Sequence, residues 1–179
     1  DNVRIMVVRA VPNGDERDKD VANAIRYAAD NGARIINMSF GKSFSPGKAA
    51  VDEAAKYAES KGVLLIHAAG NDSKNIDVQP NFPKDTYNDG GVCGTWMEIG
   101  ASGPTVQALC ADFSNYGKKS VDVFAPGVDI YSTVPGGGFK DNSGTSMAAP
   151  VASGVAAVLM SYYPALTAAD VKAIMMKSA

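Results

Sequence analysis

The pattern of apolar and polar positions alternates between two periods in the first half of the chain. Short apolar runs predict buried strands at Val3–Ala10, at Arg34–Ser39 and from Val63 onward. Between them, Asp18–Asn31 and Pro46–Lys61 carry apolar residues at helical spacing, and a glycine follows each stretch. Two consecutive strand–helix–strand units result, and they predict a right-handed, parallel sheet.

The second half of the chain begins with a long polar connection, Asp72–Thr95, which is rich in Asn, Asp, Pro and Gly. A connection of this length is uncommon unless it is functional or flexible. Glycine and proline then separate short strands, and two helices close the chain. Thr167 and Asp170, at the start of the second helix, have the spacing of a capping box. The predicted short strands are Trp96–Ser102, Val106–Phe113, Val121–Phe124 and Ile130–Thr133.

Composition narrows the classes of function. The 179 residues predict one domain with a sizeable core, and the formal net charge of −2 argues against nucleic acid or an anionic membrane as partner. We find no signal peptide, no apolar run long enough to cross a bilayer and no repeat. The chain starts without a methionine, which indicates an excised or processed piece. Cys93 and Cys110 are either a disulfide pair or two free thiols, and with the single His67 they form no metal-ligand cluster.

The most informative segment is Gly144–Pro150, in which a glycine, two hydroxyl residues and small residues open a slim, alanine-rich helix. Ser146 is a candidate nucleophile, because its backbone N–H and the helix dipole would point at a developing oxyanion. The run Gly144–Gly154 resembles the serine motif of the subtilisin-like proteases. The alternative is a small-residue packing helix that carries an incidental serine.

A second segment, Val63–Asn71, is an apolar strand that ends in small residues and an amide. Ligands bind at the carboxyl ends of parallel strands. In the family that the serine motif resembles, the Asn at this place donates its side-chain N–H to the oxyanion, so the resemblance gives this role to Asn71. Taken alone, Asn71 and Asp72 would suit a turn after a strand equally well.

A third segment ends in Ser39, Phe40 and Gly41 and resembles the family's substrate-binding strand, whose backbone pairs with an extended peptide. The resemblance makes these three residues candidates for substrate binding, with Phe40 shaping a more distant subsite. It also implies that Ala69 and Gly70 form a wall of the pocket that binds the substrate residue before the scissile bond. The alternative for this segment is a core strand that ends in a loop glycine.

Two motifs of the family are absent from the chain. Family members place a catalytic aspartate and then a catalytic histidine before the serine, in Asp-Ser/Thr-Gly and His-Gly-Thr-His motifs, and neither motif occurs here. The only histidine, His67, lies four residues before Asn71. That spacing is about 13 Å along an extended strand, so a core histidine is the favoured interpretation.

The resemblance covers the chain from Val3 to its C-terminus. It implies an α/β three-layer fold, with a mostly parallel sheet between helices, and makes residues 1–179 a partial peptidase domain whose N-terminal part is missing. Between Pro83 and Trp96 the chain is longer than in typical family members. In the family, the floor of the main specificity pocket lies near this segment. The extra length therefore affects which residues can be assigned to that pocket.

The resemblance predicts a secreted or cell-envelope serine endopeptidase that acts on peptides or proteins without a cofactor or metal ion. In the intact parent Ser146 would attack, Asn71 would hold the oxyanion, and a base from the missing part would take the proton. The chain alone is expected to be inactive. Two alternatives are a peptide-binding module without catalysis and a hydrolase in which His67 serves Ser146. An unpaired Val3–Ala10 edge would favour a homodimer.

Overall fold

The structure is a computed structural model that describes residues 3–11 and 14–179. The domain range of 1–179 includes positions 1–2 and 12–13, which lie outside the described residues. The described helices are α1 (Asp18–Asp30), α2 (Lys48–Ser60), α3 (Thr145–Tyr162) and α4 (Ala168–Ser178). The described strands are β1 (Ile35–Met38), β2 (Leu64–Ala68), β3 (Trp96–Ser102), β4 (Val123–Pro126), β5 (Ile130–Val134) and β6 (Gly138–Asn142).

Four strands form one parallel sheet in the order β1-β2-β3-β4, and β5 and β6 form a separate antiparallel hairpin. The central strand β2 pairs with both neighbours, and its His67 is the register partner of Met38 on β1 and of Glu98 on β3. Apolar residues dominate β2, as expected for a strand that is buried on both faces. The prediction of a mostly parallel sheet is confirmed.

Helices cover both faces of the sheet. Side chains alternate along the second strand, so Leu64 and Ile66 pack with α3 and α4, while Val63 and Leu65 pack with α1 and α2. The helices contribute mainly alanines to these two clusters, which lets them approach the sheet closely. The result is the three-layer α/β arrangement that the resemblance implied.

The carboxyl ends of the parallel strands meet at one edge of the sheet, and the candidate residues follow these ends. Ser39 comes directly after β1, Ala69 after β2 and Gly127 after β4. The Gly144 N–H donates to the Gly127 carbonyl (2.8 Å), so the chain returns to this edge after the β5–β6 hairpin. Helix α3 starts there, at Thr145, and packs against all four strands of the sheet.

The predicted strand at Val3–Ala10 is wrong. No strand of the described chain pairs with this segment, and Ile5 and Val7 are each 89% exposed. A strand needs neighbouring backbone groups to satisfy its N–H and C=O groups, and an apolar pattern alone does not supply them.

The predicted strand at Val106–Phe113 is also wrong. The Gly103 N–H donates to the Ala108 carbonyl (2.7 Å) and the Ala108 N–H donates to the Thr105 carbonyl (2.9 Å), so this segment turns. Val106 is 78% exposed, which shows that the apolar alternation here does not reflect burial. Strand β6, which pairs with β5, was not predicted because its sequence, GFKDN, is mostly polar.

Helix α3 is long and apolar enough, by length and composition alone, to cross a membrane. This differs from the expectation that the chain contains no such run. In the structure Ala148, Ala149 and Ala156 of α3 are fully buried against the sheet. Helix α3 is therefore a core helix of the three-layer fold, with one face exposed.

The two cysteines are free thiols, one of the two alternatives that the sequence left open. Cys93 is buried in the cluster between the sheet and α2, whereas Cys110 is exposed. Burial raises the pKa of the Cys93 thiol above its ordinary value, so the thiol stays uncharged at neutral pH.

The predicted capping box at the start of α4 is confirmed and leads to a stability prediction. The Thr167 hydroxyl accepts from the Asp170 N–H (3.1 Å), and the Asp170 carboxylate accepts from the Thr167 N–H (3.0 Å). Because Val171 and Met175 anchor this helix in the core, Thr167→Ala should lower the free energy of unfolding by about 1 kcal/mol. Urea unfolding, followed by the fluorescence of the single buried Trp96, measures the change.

The matched control is Thr105→Ala, which removes a hydroxyl from an exposed turn. This control should leave the unfolding midpoint unchanged. Equal midpoints for the two variants would contradict a stabilising role of the cap.

Candidate active site

Ser146 is the second residue of α3, at the edge where the parallel strands end. The N-cap residue, Gly144, has φ 155° and ψ 160°, a conformation that is essentially restricted to glycine. Groups at a helix start have no partners within the helix, and no described residue accepts from the Ser146 N–H. This N–H is therefore available to an external acceptor.

Thr145 fastens the start of α3 to the end of β2. Its backbone N–H and its hydroxyl both donate to Asn71 Oδ1, at 2.8 and 3.0 Å. The same hydroxyl accepts from the Gly70 N–H at 3.0 Å. Because Thr145 is fully buried, these bonds are shielded from water and hold Asn71 beside the helix start.

The bonds to Thr145 also determine which way the Asn71 amide points. A backbone N–H can only donate, so the atom that faces Thr145 is the amide oxygen and the Nδ2 donor points elsewhere. A Cβ added to Gly144 would lie 3.6 Å from Asn71 Nδ2, 3.7 Å from Asn71 Oδ1 and 3.7 Å from the Ser146 backbone N. The Asn71 amide and the Ser146 N–H therefore border the same small volume, which the glycine leaves empty.

Ser39, which directly follows β1, exchanges two hydrogen bonds with Ser146. The Ser39 hydroxyl donates to the Ser146 carbonyl (3.0 Å), and the Ser146 hydroxyl donates to the Ser39 carbonyl (3.4 Å). The Ser146 carbonyl is available because Pro150, four residues later in the helix, has no N–H. Asn37 donates to the Ser39 hydroxyl (2.9 Å) and supports this arrangement. The structure thus brings Ser39, Asn71 and Ser146 together.

Ala69 and Gly70 lie beside this group and are held by a residue from a distant loop. The buried Asn115 donates from Nδ2 to the Ala69 carbonyl (2.7 Å) and from its backbone N–H to the Gly70 carbonyl (2.8 Å). Gly70 has φ 99°, and a Cβ there would collide with the Asn115 amide. Position 70 therefore requires a glycine.

Phe40 and Gly41 continue from β1 and lie against His67. The Phe40 carbonyl accepts from His67 Nε2 (2.7 Å), and a Cβ added to Gly41 would lie 3.6 Å from the same nitrogen. The next residue, Lys42, exchanges two backbone hydrogen bonds of 2.9 Å with Phe82. The segment after β1 is therefore held both by the sheet and by the long connection.

The connection Asp72–Thr95 folds back onto the site. Besides the pairing of Phe82 with the segment after β1, Asn81 Oδ1 lies 3.6 Å from the position that a Cβ on Gly70 would occupy. The peptide bond between Phe82 and Pro83 is cis. Part of the connection thus lies beside Gly70, which the resemblance made a candidate for the wall of a substrate pocket.

His67 is a fully buried core residue, as the sequence analysis favoured. Its Nδ1 lies 2.9 and 3.0 Å from the two oxygens of the Glu98 carboxylate, and its Nε2 contacts the Phe40 carbonyl. Both ring nitrogens are therefore engaged, and neither is available to take the Ser146 proton.

The protonation of His67 follows from its surroundings. Burial alone would lower its pKa, but the Glu98 carboxylate raises it through its charge and its hydrogen bonds, and the Phe40 carbonyl adds to this effect. The net result is a pKa above the ordinary value for histidine. The ring is therefore favoured as an imidazolium ion that donates from both nitrogens.

Three residues that organise the site were not singled out from the sequence: Thr145, Asn115 and Glu98. Thr145 had a usable signal, because it stands next to Ser146 within the serine motif. Asn115 and Glu98 had none, because their partners Ala69 and His67 lie 46 and 31 residues away along the chain.

Acidic, cysteine and histidine side chains do not gather into groups of three or more that would hold a metal ion within the described ranges. Two buried acids on the same side of the sheet as His67 are each paired with a lysine instead. Asp18 lies 2.8 Å from Lys42 Nζ, and Asp52 lies 2.6 Å from Lys48 Nζ.

Comparison with known proteins gives a consistent result. The model of the subtilase family matches residues 1–179. The thermophilic serine proteinase of Bacillus sp. (strain AK1) is 40% identical over 162 residues, which are 89% of this chain and 36% of that protein. The cell wall-associated protease of Bacillus subtilis (strain 168) is 37% identical over 177 residues, which are 99% of this chain and 18% of that protein.

A solved structure agrees with these matches. Sphericase superposes with a TM-score of 0.79 at 30% identity, over 93% of this chain and 56% of the Sphericase chain. The chain thus spans only 18–56% of the lengths of these three relatives. Since the family model matches all 179 residues and the fold agrees, this chain belongs to the subtilase family of serine proteases.

Proposed function

We propose that the chain provides the nucleophile, the oxyanion-binding donors and the peptide-binding strand of a serine endopeptidase. The observation that carries this proposal is the Asn71 amide, which Thr145 holds so that Nδ2 borders the same volume as the Ser146 N–H. Two N–H donors around one volume, next to a serine hydroxyl, are what a tetrahedral oxyanion requires. The substrates are peptides or proteins.

In the proposed reaction, Ser146 Oγ attacks the carbonyl carbon of a peptide bond. The carbonyl oxygen becomes an oxyanion that accepts from Asn71 Nδ2 and from the Ser146 N–H, and the dipole of α3 adds to the stabilisation. A base takes the Ser146 proton and returns it to the leaving amine. The acyl-enzyme that remains is then hydrolysed by water.

The base is the part of this mechanism that the chain does not supply. His67 is the only histidine in the sequence, and Glu98 and the Phe40 carbonyl engage both of its nitrogens. We therefore place the catalytic histidine and aspartate in a part of the protease domain outside these 179 residues. This arrangement disfavours a hydrolase in which His67 serves Ser146 directly.

Two surfaces support a further part of the domain as partner. Val155, Val158 and Tyr162 lie on the exposed side of α3 and are 49%, 55% and 78% exposed. In addition, β1 is an outer strand of the sheet, without a partner on its free side among the described strands. Contiguous apolar patches on soluble proteins mark interaction sites. The missing part of the domain would cover them and bring the base to Ser146.

A peptide-binding module without catalysis is the second candidate function. The backbone of Ser39–Gly41 can pair with an extended peptide whether or not a base is present. The engagement of His67 favours this candidate for the chain by itself. The paired N–H donors beside Ser146 favour the protease, because peptide binding alone does not require an oxyanion site.

We also propose that the protein works outside the cytoplasm, in a secreted or cell-envelope setting. One relative is a cell wall-associated protease by name. The cysteines add no support, because both are free thiols.

The proposal predicts that the chain alone reacts slowly at Ser146. Without a base the hydroxyl is a weak nucleophile, so a fluorophosphonate probe should label it poorly, and added imidazole should accelerate the labelling. Intact-protein mass and peptide mapping measure the reaction, with Ser146→Ala as the blank and Ser143→Ala as the matched control. Rapid, stoichiometric labelling without imidazole would contradict this prediction and make His67 the suspected base.

Asn71→Asp tests the proposed oxyanion donor. The aspartate keeps an oxygen for the two bonds from Thr145 but replaces the Nδ2 donor with a second oxygen. Imidazole-assisted labelling of Ser146 should fall roughly 10²- to 10³-fold, the loss known for an oxyanion-hole donor in a subtilisin. Asn75→Asp, which also keeps its accepting oxygen, is the matched control. An undiminished rate in Asn71→Asp would exclude the assigned role.

We further propose that the chain alone pairs with a second copy through residues 3–11 and the free edge of β1. Ile5 and Val7 are each 89% exposed, in a segment that forms no strand in the structure, and the unpaired edge of β1 can recruit such an apolar segment from a second copy. Light scattering across a dilution series should show a dimer that dissociates on dilution. Val7→Lys should shift the equilibrium to monomer, whereas Val106→Lys, at another exposed valine, should not. A monomer at every concentration would rule out this pairing.

A further inference from the structure

A buried polar cluster that the proposed reaction does not use lies directly beneath the candidate substrate strand. His67 on β2 and Glu98 on β3 are register partners, so their side chains stand next to each other on the face that α1 and α2 cover. His67 is fully buried and Glu98 is only 4% exposed. Burying such polar groups is costly unless they are hydrogen-bonded, so their contacts are informative.

The hydrogen bonds of this cluster require a proton on His67 Nε2, and the raised pKa of the ring favours a second proton on Nδ1. The Phe40 carbonyl can only accept, so Nε2 donates to it (2.7 Å), and Nδ1 donates to the Glu98 carboxylate (2.9 and 3.0 Å). Glu98 also accepts from Trp96 Nε1 (2.9 Å). A second carboxylate, that of the buried Glu16, adds negative charge near the ring. One of its oxygens has no hydrogen-bond partner in the described part of the chain.

The cluster holds the backbone that would pair with a peptide. The peptide group between Phe40 and Gly41 contacts the imidazole on both sides. Nε2 donates a hydrogen bond to the Phe40 carbonyl, and a Cβ added to Gly41 would lie 3.6 Å from the same nitrogen. A charged donor makes a stronger hydrogen bond than a neutral one, so this peptide plane has little freedom to rotate. Strand addition by a substrate depends on the orientation of such N–H and C=O groups.

The same carboxylate also contacts a residue that lies beside Gly70. Glu98 Oε1 accepts from Asn81 Nδ2 (3.3 Å), and Asn81 Oδ1 lies 3.6 Å from the position of a Cβ on Gly70. One buried acid therefore contacts a residue under the Phe40–Gly41 segment and a residue beside Gly70. The Phe40–Gly41 segment and the surroundings of Gly70 are thus linked to a common residue in the core.

We propose that His67 is a positioning residue for peptide binding: its Nε2 donor orients the Phe40–Gly41 peptide group, and Glu98 holds the ring in place. This inference rests on the proposed function, because it assigns a purpose to the Ser39–Gly41 strand. His67 acts through Phe40 and touches no reacting atom.

Two substitutions of His67 separate the donor to Phe40 from the contact with Glu98. An asparagine amide reaches the position of Nδ1 but not that of Nε2, so His67→Asn keeps a donor for Glu98 and loses the donor to Phe40. A glutamine amide reaches the position of Nε2, so His67→Gln restores the donor to Phe40. Asp52→Asn is the matched control, because it breaks the buried Lys48–Asp52 ion pair on the same side of the sheet without contacting the substrate strand.

Peptide binding by the 179-residue chain provides the readout. The probe is a blocked tetra-alanine peptide, whose small side chains leave recognition to the main chain, and the amide NMR signals of Ser39–Gly41 report its binding. His67→Asn should raise Kd about tenfold, the order expected for one charge-assisted hydrogen bond. His67→Gln should recover most of this loss, because its amide restores a donor to Phe40 although the donor is neutral, and Asp52→Asn should bind like the wild type. Wild-type affinity in His67→Asn, or a loss in His67→Gln equal to that in His67→Asn, would overturn the proposal.

The wild-type chain gives a second test that does not depend on how well the variants fold. His67 is the only histidine, so its ring nitrogen signals are unambiguous, and Nε2 should carry a proton at pH 7. A ring with no proton on Nε2 would overturn the proposal, because that nitrogen could not donate to Phe40. If Nε2 is protonated and the peptide leaves the Ser39–Gly41 signals unchanged, the proposed peptide-binding function fails while the contact with Phe40 stands.

Discussion

The two hydrogen bonds that Asn71 Oδ1 accepts from Thr145 are the constraint on which the candidate site depends. They join the end of β2 to the start of α3, two elements that are 74 residues apart in the sequence. They also place the Asn71 amide against the same small volume as the Ser146 N–H. Both partners are themselves held, since Asn115 fixes Gly70 and the Thr145 hydroxyl accepts from the Gly70 N–H. The proposed oxyanion donors are therefore arranged without the help of a substrate or a base.

The parallel register produces a second polar feature on the opposite face of the same sheet. It sets His67 beside Glu98, away from α3 and under the strand that leads to Phe40. A buried ion pair is weak evidence for stability, because desolvation offsets much of the attraction between the charges. Its position is more informative, since His67 contacts the segment proposed to bind the peptide, whereas Thr145 holds Asn71 at the start of α3. The proposed nucleophile and the proposed substrate strand are thus supported from opposite faces of the sheet.

Prediction from the sequence succeeded where the signal was local. The apolar run that became β2, the cap at Thr167 and the burial of His67 all follow from periodicity and near neighbours. Prediction failed at Val3–Ala10, because an apolar pattern specifies a tendency to form a strand but not the strand that must pair with it. Glu98 and the orientation of the Asn71 amide were equally out of reach, because both depend on contacts between segments that only the folded sheet brings together.

The most direct measurement is a crystal structure of the 179-residue chain with Ser146 phosphonylated by a fluorophosphonate in the presence of imidazole. The phosphonyl oxygen stands in for the oxyanion of the tetrahedral intermediate. We expect it at about 2.7–3.1 Å from both Asn71 Nδ2 and the Ser146 backbone N, with the amide oxygen of Asn71 still bonded to Thr145. A phosphonyl oxygen that points into solvent, with the Asn71 amide turned away, would contradict the preformed oxyanion site.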